Sequence, residues 1–125
     1  MSDRTIFLTD LDFEYKLWKN RMSYIREENI IYTNRCEELI NTNLASEDIL
    51  NLERLKANFL NQADLVRKIH NRIVVSEREM VYYKFDYPIN KRHQHYIDHE
   101  NLRSEILKID DNHQKLLNDF KKYLI

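Results

Sequence analysis

LERLKANFLNQADLVRKIHNRIVVSEREMVYYKFDY, residues 52–87, decides the fold. Steps of three and four pick out Leu52, Leu55, Phe59, Gln62, Val66, Ile69, Ile73, Ser76, Met80, Tyr83 and Tyr87. A mean apolar spacing of 3.5 residues keeps one stripe of a helix facing its partners, so the stretch reads as one long helix in a coiled-coil-like bundle. It ends before Pro88, the only proline, which disfavours a helical conformation at Tyr87.

Two matching stripes flank it. Leu11, Tyr15, Trp18, Met22, Ile25, Asn29, Tyr32, Cys36 and Leu39 lie upstream; His95, His99, Leu102, Ile106, Ile109, His113, Leu116, Phe120 and Tyr123 lie downstream. Three seams of similar length and short links predict a single domain over residues 1–125: an all-α, elongated, up-down-up antiparallel three-helix bundle. Its helices are expected over about residues 10–41, 47–86 and 91–124. Thr9, with Asp12 three residues on, is the expected N-cap of the first helix, Ser46 of the second and Asn90 of the third. The Asn41-Thr42-Asn43 run is expected to end the first helix through a left-handed residue. Acid-first pairs Asp12 with Lys16, Asp64 with Lys68 and Asp111 with Lys115 are spaced to support the outer faces.

Composition narrows the function classes. The chain contains no glycine, which removes Gly-rich phosphate loops and most tight hairpins. Its 20 Lys and Arg against 21 Asp and Glu leave a formal net charge of −1, with no global field to attract nucleic acid or an anionic membrane. The single Cys36 has no partner for an internal disulfide, and no apolar run reaches the roughly 20 residues that span a bilayer. A cytoplasmic protein is expected. Nothing assembles a Ser-His-Asp set, paired carboxylates in an apolar setting or a nucleophile elbow, and a filled helical rod has no natural pocket, so a non-enzyme is expected.

The strongest chemical signal is Asn90 to Glu100, NKRHQHYIDHE. His95 and His99 stand one turn apart on one helix face, a spacing at which two imidazoles can hold a divalent transition metal, with His93 nearby as a third candidate ligand. Half-buried seam histidines are the commoner outcome of such a pattern. No Cys motif, HExxH or repeated Glu-x-x-His completes a known site, and no cofactor is expected. His113, on the third seam, and His70, at the edge of the second, are expected near Trp18 and Met22. Asn29 and Gln62 are expected to meet beside Leu116 to Asn118 as a polar register lock.

Aromatic and basic residues gather around the second turn: Tyr82, Lys84, Tyr87, Arg92 and Tyr96 form a candidate interaction surface, better suited to a protein than to nucleic acid. Two further apolar sets recur every seven residues, Leu17, Tyr24 and Ile31 on the first helix and Leu60, Val74 and Val81 on the second. They widen the core of a monomer or form the interface of a homodimer. The leading reading is therefore a non-catalytic helical scaffold or protein-interaction module, acting on a partner protein or on itself. The alternative is a metal-binding or metal-sensing protein using His93, His95 and His99.

The run Leu11 to Leu17, the segments Phe59 to Gln62 and Lys68 to Ile73, and the His-rich start of the third helix together resemble a group of small bacterial long-helix proteins with no assigned function. The likeness spans nearly the whole chain through loose heptad patterns. It implies a helical hairpin plus a third helix, and no activity.

Overall fold

The computed structural model describes residues 5–83 and 88–124. Three long helices, α1 (Leu8–Ile40), α2 (Ser46–Glu79) and α3 (Gln94–Phe120), pack as an antiparallel bundle. At a rise of about 1.5 Å per residue, the 33 residues of α1 make a rod about 50 Å long. Short 3₁₀ turns extend two helices, Met80–Tyr82 after α2 and Lys121–Tyr123 after α3.

The seams become the core. Leu11, Tyr15, Met22, Ile25 and Cys36 are buried from α1, Leu52, Leu55, Phe59, Val66, Ile69 and Ile73 from α2, and Leu102, Ile106, Ile109, Leu116 and Phe120 from α3. Each large side chain fully withdrawn from water contributes about 1.5–3 kcal/mol, which dominates the exposed ion pairs at well under about 1 kcal/mol each. The core falls into two apolar clusters. One runs from Leu8 to Ile25 with Val66, Ile73 and Ile106, and the other holds Cys36, Leu52, Phe59, Leu116 and Phe120. Asn29, Gln62 and His113, all buried and polar, occupy the seams between them.

Several boundaries differ from the expected ones. The first helix starts at Leu8 with Phe7 as its N-cap and no side-chain cap, so Thr9 lies inside it. Its start is set instead by a two-residue strand, β1 (Ile6–Phe7), which pairs antiparallel with β2 (Pro88–Ile89) in the register Ile6 to Ile89. A strand edge tolerates Pro88, which has no N–H to donate. Ala45, rather than Ser46, precedes α2, and His93, rather than Asn90, caps α3, its Nδ1 accepting from the His95 N–H at 3.1 Å. Asn90 closes the preceding turn by accepting the Arg92 N–H at 2.9 Å. At the end of α1, Asn41 has φ −82°, and no described residue takes a positive φ. The Thr42 hydroxyl donates to the Leu39 carbonyl at 2.6 Å and meets the exposed end of the helix without a left-handed residue.

The α2 helix stops at Glu79, well short of residue 86, and α3 starts at Gln94. The turn between them therefore sits earlier in the chain than expected, and α3 slides by nearly one helical turn along its neighbours. This places His113, rather than Leu116 to Asn118, beside Gln62. The α1–α2 register is held by Glu37 to Lys56 at 2.7 Å and Lys19 to Glu77 at 2.6 Å. Asp12 pairs with Lys16, and Asp64 with Lys68 at 3.2 Å; among the described residues Asp111 and Lys115 form no ion pair.

Candidate functional site

The histidine-rich start of α3 folds onto the second and third turns of α1. His95 and His99, one turn apart on the α3 seam, are both buried and meet Tyr15 of the α1 seam edge-on, and His99 also packs on Trp18. The His99 ring lies 4.5 Å from Trp18 and 4.8 Å from Tyr15, centroid to centroid. Arg103, one turn further along α3, sits over the outer face of Trp18 with its guanidinium 5.8 Å from the ring centre and pairs with both Glu14 and Glu100.

Hydrogen bonding ties both rings to α1. The Glu14 carboxylate lies 3.0 Å from Nε2 of His99, which makes that nitrogen the donor and leaves a buried Nδ1 lone pair with no partner. Nε2 of His95 lies 3.0 Å from the Tyr15 hydroxyl, and its Nδ1 lies 3.8 Å from the Glu79 carboxylate. Burial holds both imidazoles below their usual range, against the pull of Glu79 on His95 and of Glu14 on His99. Burial also pushes the Glu14 carboxyl up, but hydrogen bonds from Arg103 and His99 outweigh it and leave Glu14 below the usual carboxylate range. Burial raises the Tyr15 hydroxyl further, so it remains a protonated donor.

The three histidines proposed as metal ligands are thus each engaged within the protein: His93 in the helix cap, His95 with Tyr15 and His99 with Glu14. Among the described residues, no group of three or more His, Cys, Asp or Glu side chains is placed to hold a metal ion. The site orders two helices against each other, and the buried Nδ1 of His99 has no protein partner.

His113 makes a second buried polar contact near the middle of the rod. Its Nδ1 lies 2.7 Å from the Gln62 carbonyl oxygen and its Nε2 lies 2.8 Å from the Glu28 carboxylate. Asn29 does not pair with Gln62 as expected: both its side-chain atoms, and the Gln62 nitrogen, have no protein partner. His70 is not grouped with His113; it lines a cleft between α1 and α2 together with Met22.

The expected interaction surface is only partly described. Tyr82 is 89% exposed and Arg92 is exposed, Tyr96 is half-buried against the core, and Lys84 and Tyr87 lie outside the described residues. A longer apolar surface runs along the outside of α1, where Phe13, Leu17, Tyr24 and Ile31 are 62, 51, 52 and 64% exposed. Phe13 joins the expected Leu17, Tyr24 and Ile31 set because it lies one turn before Leu17. On α2, Leu60 is exposed and Val74 half-buried, and Val81, in the 3₁₀ turn that follows, is exposed. Glu14 and Arg103 escaped sequence reasoning: they flank the seams, and their only sequence signal is a position one residue before Tyr15 and one after Leu102.

These features define an all-α antiparallel three-helix bundle with polar layers in its core and an uncovered apolar stripe. No helix among the described residues is long and apolar enough to cross a membrane. No family model, curated protein or solved structure matches the chain.

Proposed function

We propose that the protein is a non-catalytic helical interaction module that docks an apolar helix along the outer face of α1, the same stripe of a second copy being its first partner. The exposed run Phe13, Leu17, Tyr24 and Ile31 carries this reading. Four large apolar side chains on one helix face, three of them at heptad spacing, form the seam that a second helix fills with its own knobs. In a two-fold dimer the stripe serves as its own complement. A non-catalytic role is supported by the buried state of the reactive groups. Burial raises the Cys36 thiol above its usual range despite Lys56 nearby, and His95 and His99 are committed to Tyr15 and Glu14.

Light scattering across a concentration series, with helicity read in parallel, tests the proposal on wild type and on Ile31→Glu. Ile31 faces outward, so the variant should stay folded. A wild-type dimer that becomes a folded monomer in Ile31→Glu is expected; a wild-type monomer throughout, or a dimer indifferent to the substitution, overturns self-association through this stripe.

A further inference from the structure

The face of the α1–α2 hairpin away from the ion-paired Arg21–Asp110 seam with α3 carries a cleft of about 540 Å³. Small-molecule sites fall in this size range and combine apolar walls with a few placed polar groups. Here Met22, Ile30, Leu60, Ala63 and Val66 supply the apolar walls. From Met22 to Asn34 the cleft runs about 18 Å along α1.

Its polar groups point to a ligand. Asn29 lines the cleft, is 1% exposed, and offers a side-chain oxygen and nitrogen with no protein partner, a state that is costly unless something fills it. The ion pairs Glu37–Lys56 and Lys19–Glu77 set the antiparallel register, which brings Arg26 of α1 level with Arg67 of α2. Arg67 is balanced by Asp64 at 2.6 Å, whereas Arg26 has no acidic partner among the described residues. The uncompensated charge over the cleft is therefore positive.

We infer that this cleft binds a single-chain anionic amphiphile, its head group held by Arg26 above Asn29 and its apolar chain lying along Ile30, Leu60 and Ala63. A guanidinium pairs with a carboxylate through two parallel N–H donors. A cationic or neutral amphiphile gains the same apolar contacts and loses all of these. The cleft is separate from the outward α1 stripe, so the site and the proposed dimer stand or fall independently.

Decanoate below its micelle concentration is the probe, titrated into the full chain with labelled methyl groups and followed by NMR, with decanol as the uncharged comparison. Saturable shifts are expected at Ala63, Val66 and Ile30, with decanol binding more weakly. Arg26→Gln, at an exposed position that does not support the core, is expected to weaken decanoate by about tenfold, the loss of one charged hydrogen-bonded contact. Ala63→Leu, which fills the cleft floor, should abolish the shifts while helicity is retained. Non-saturable shifts, shifts confined to Leu17 and Ile31, equal binding of decanol, or an unchanged affinity in Arg26→Gln would each overturn the inference.

Discussion

Replacing Gln62 and His113 by leucine, singly and together, should reveal strong coupling between them. In His113→Leu, hydrogen bonds of 2.7 and 2.8 Å disappear. Glu28 is partly exposed and regains water, but Gln62 is 1% exposed and its nitrogen is already without a partner, so its whole amide is orphaned. An unsatisfied buried polar group costs about 1–3 kcal/mol, and the added apolar burial of leucine offsets part of it, leaving a net loss of about 2 kcal/mol. Gln62→Leu removes the orphaned nitrogen but strands Nδ1 of His113, for a net loss of about 1 kcal/mol. In the double variant both orphans are gone and two leucines fill the layer, so stability returns to within about 1 kcal/mol of wild type. The coupling energy is then about 2 kcal/mol, within the range for residues sharing one hydrogen-bond network. Urea unfolding followed by circular dichroism on all four proteins measures it, provided the slope with denaturant is unchanged. Additivity within about 0.5 kcal/mol would refute the view that these two side chains form one buried unit.

Two further outcomes follow from the buried groups. Burial lowers the folded-state values of His95 and His99 below the ordinary 6.5, so the unfolded chain takes up protons there that the folded chain does not; stability should hold steady above that pH and fall as pH drops below it. Glu14, held below 4.5 in the fold, adds its own loss as pH falls further, and a urea midpoint that stays constant from pH 7.5 to 4 would contradict both assignments. Cys36, buried with its thiol raised above 9.0, should react slowly with a disulfide reagent at pH 8 in native buffer and rapidly in urea. Equal rates in the two conditions would show that the second core cluster is open.

Much of the bundle could be read from the spacing of apolar residues alone. The seam positions Leu11, Tyr15, Met22, Leu52, Phe59, Ile73, Leu102, Ile109 and Phe120 are buried, and so are the polar residues in those seams, Asn29, Gln62, His95, His99 and His113. Period says which face turns inward, whatever the chemistry of the side chain. It does not say which residue lies opposite which, because a heptad pattern slid along its partner still sets apolar against apolar. That choice depends on where the turns fall, and the turn after α2 comes earlier than the apolar spacing implies: the helix gives way at Glu79 to a 3₁₀ turn and then to the β1–β2 pair, before Pro88 acts. The partners of His113, Glu28 and Gln62 rather than Trp18, were lost with it, as was the contact of Glu14 with His99 and Arg103.

That ambiguity gives the polar layers their physical role. Sliding α3 by one heptad would keep most apolar contacts, since Ile109 could stand where Leu102 stood and Leu116 where Ile109 stood. It would also carry His113 away from Gln62 and Glu28, and both His95 and His99 away from Tyr15 and Glu14, leaving buried donors and acceptors without partners at two levels of the rod. At about 1–3 kcal/mol for each orphaned group, several together rival the 5–15 kcal/mol net stability typical of a folded domain. The apolar seams therefore favour a bundle in general, and the imidazoles select this alignment from its slid alternatives. The same reasoning explains why His95 and His99 stand one turn apart on the α3 seam: their nitrogens face Tyr15 and Glu14 across the α1–α3 interface, where the alignment of the two helices is set.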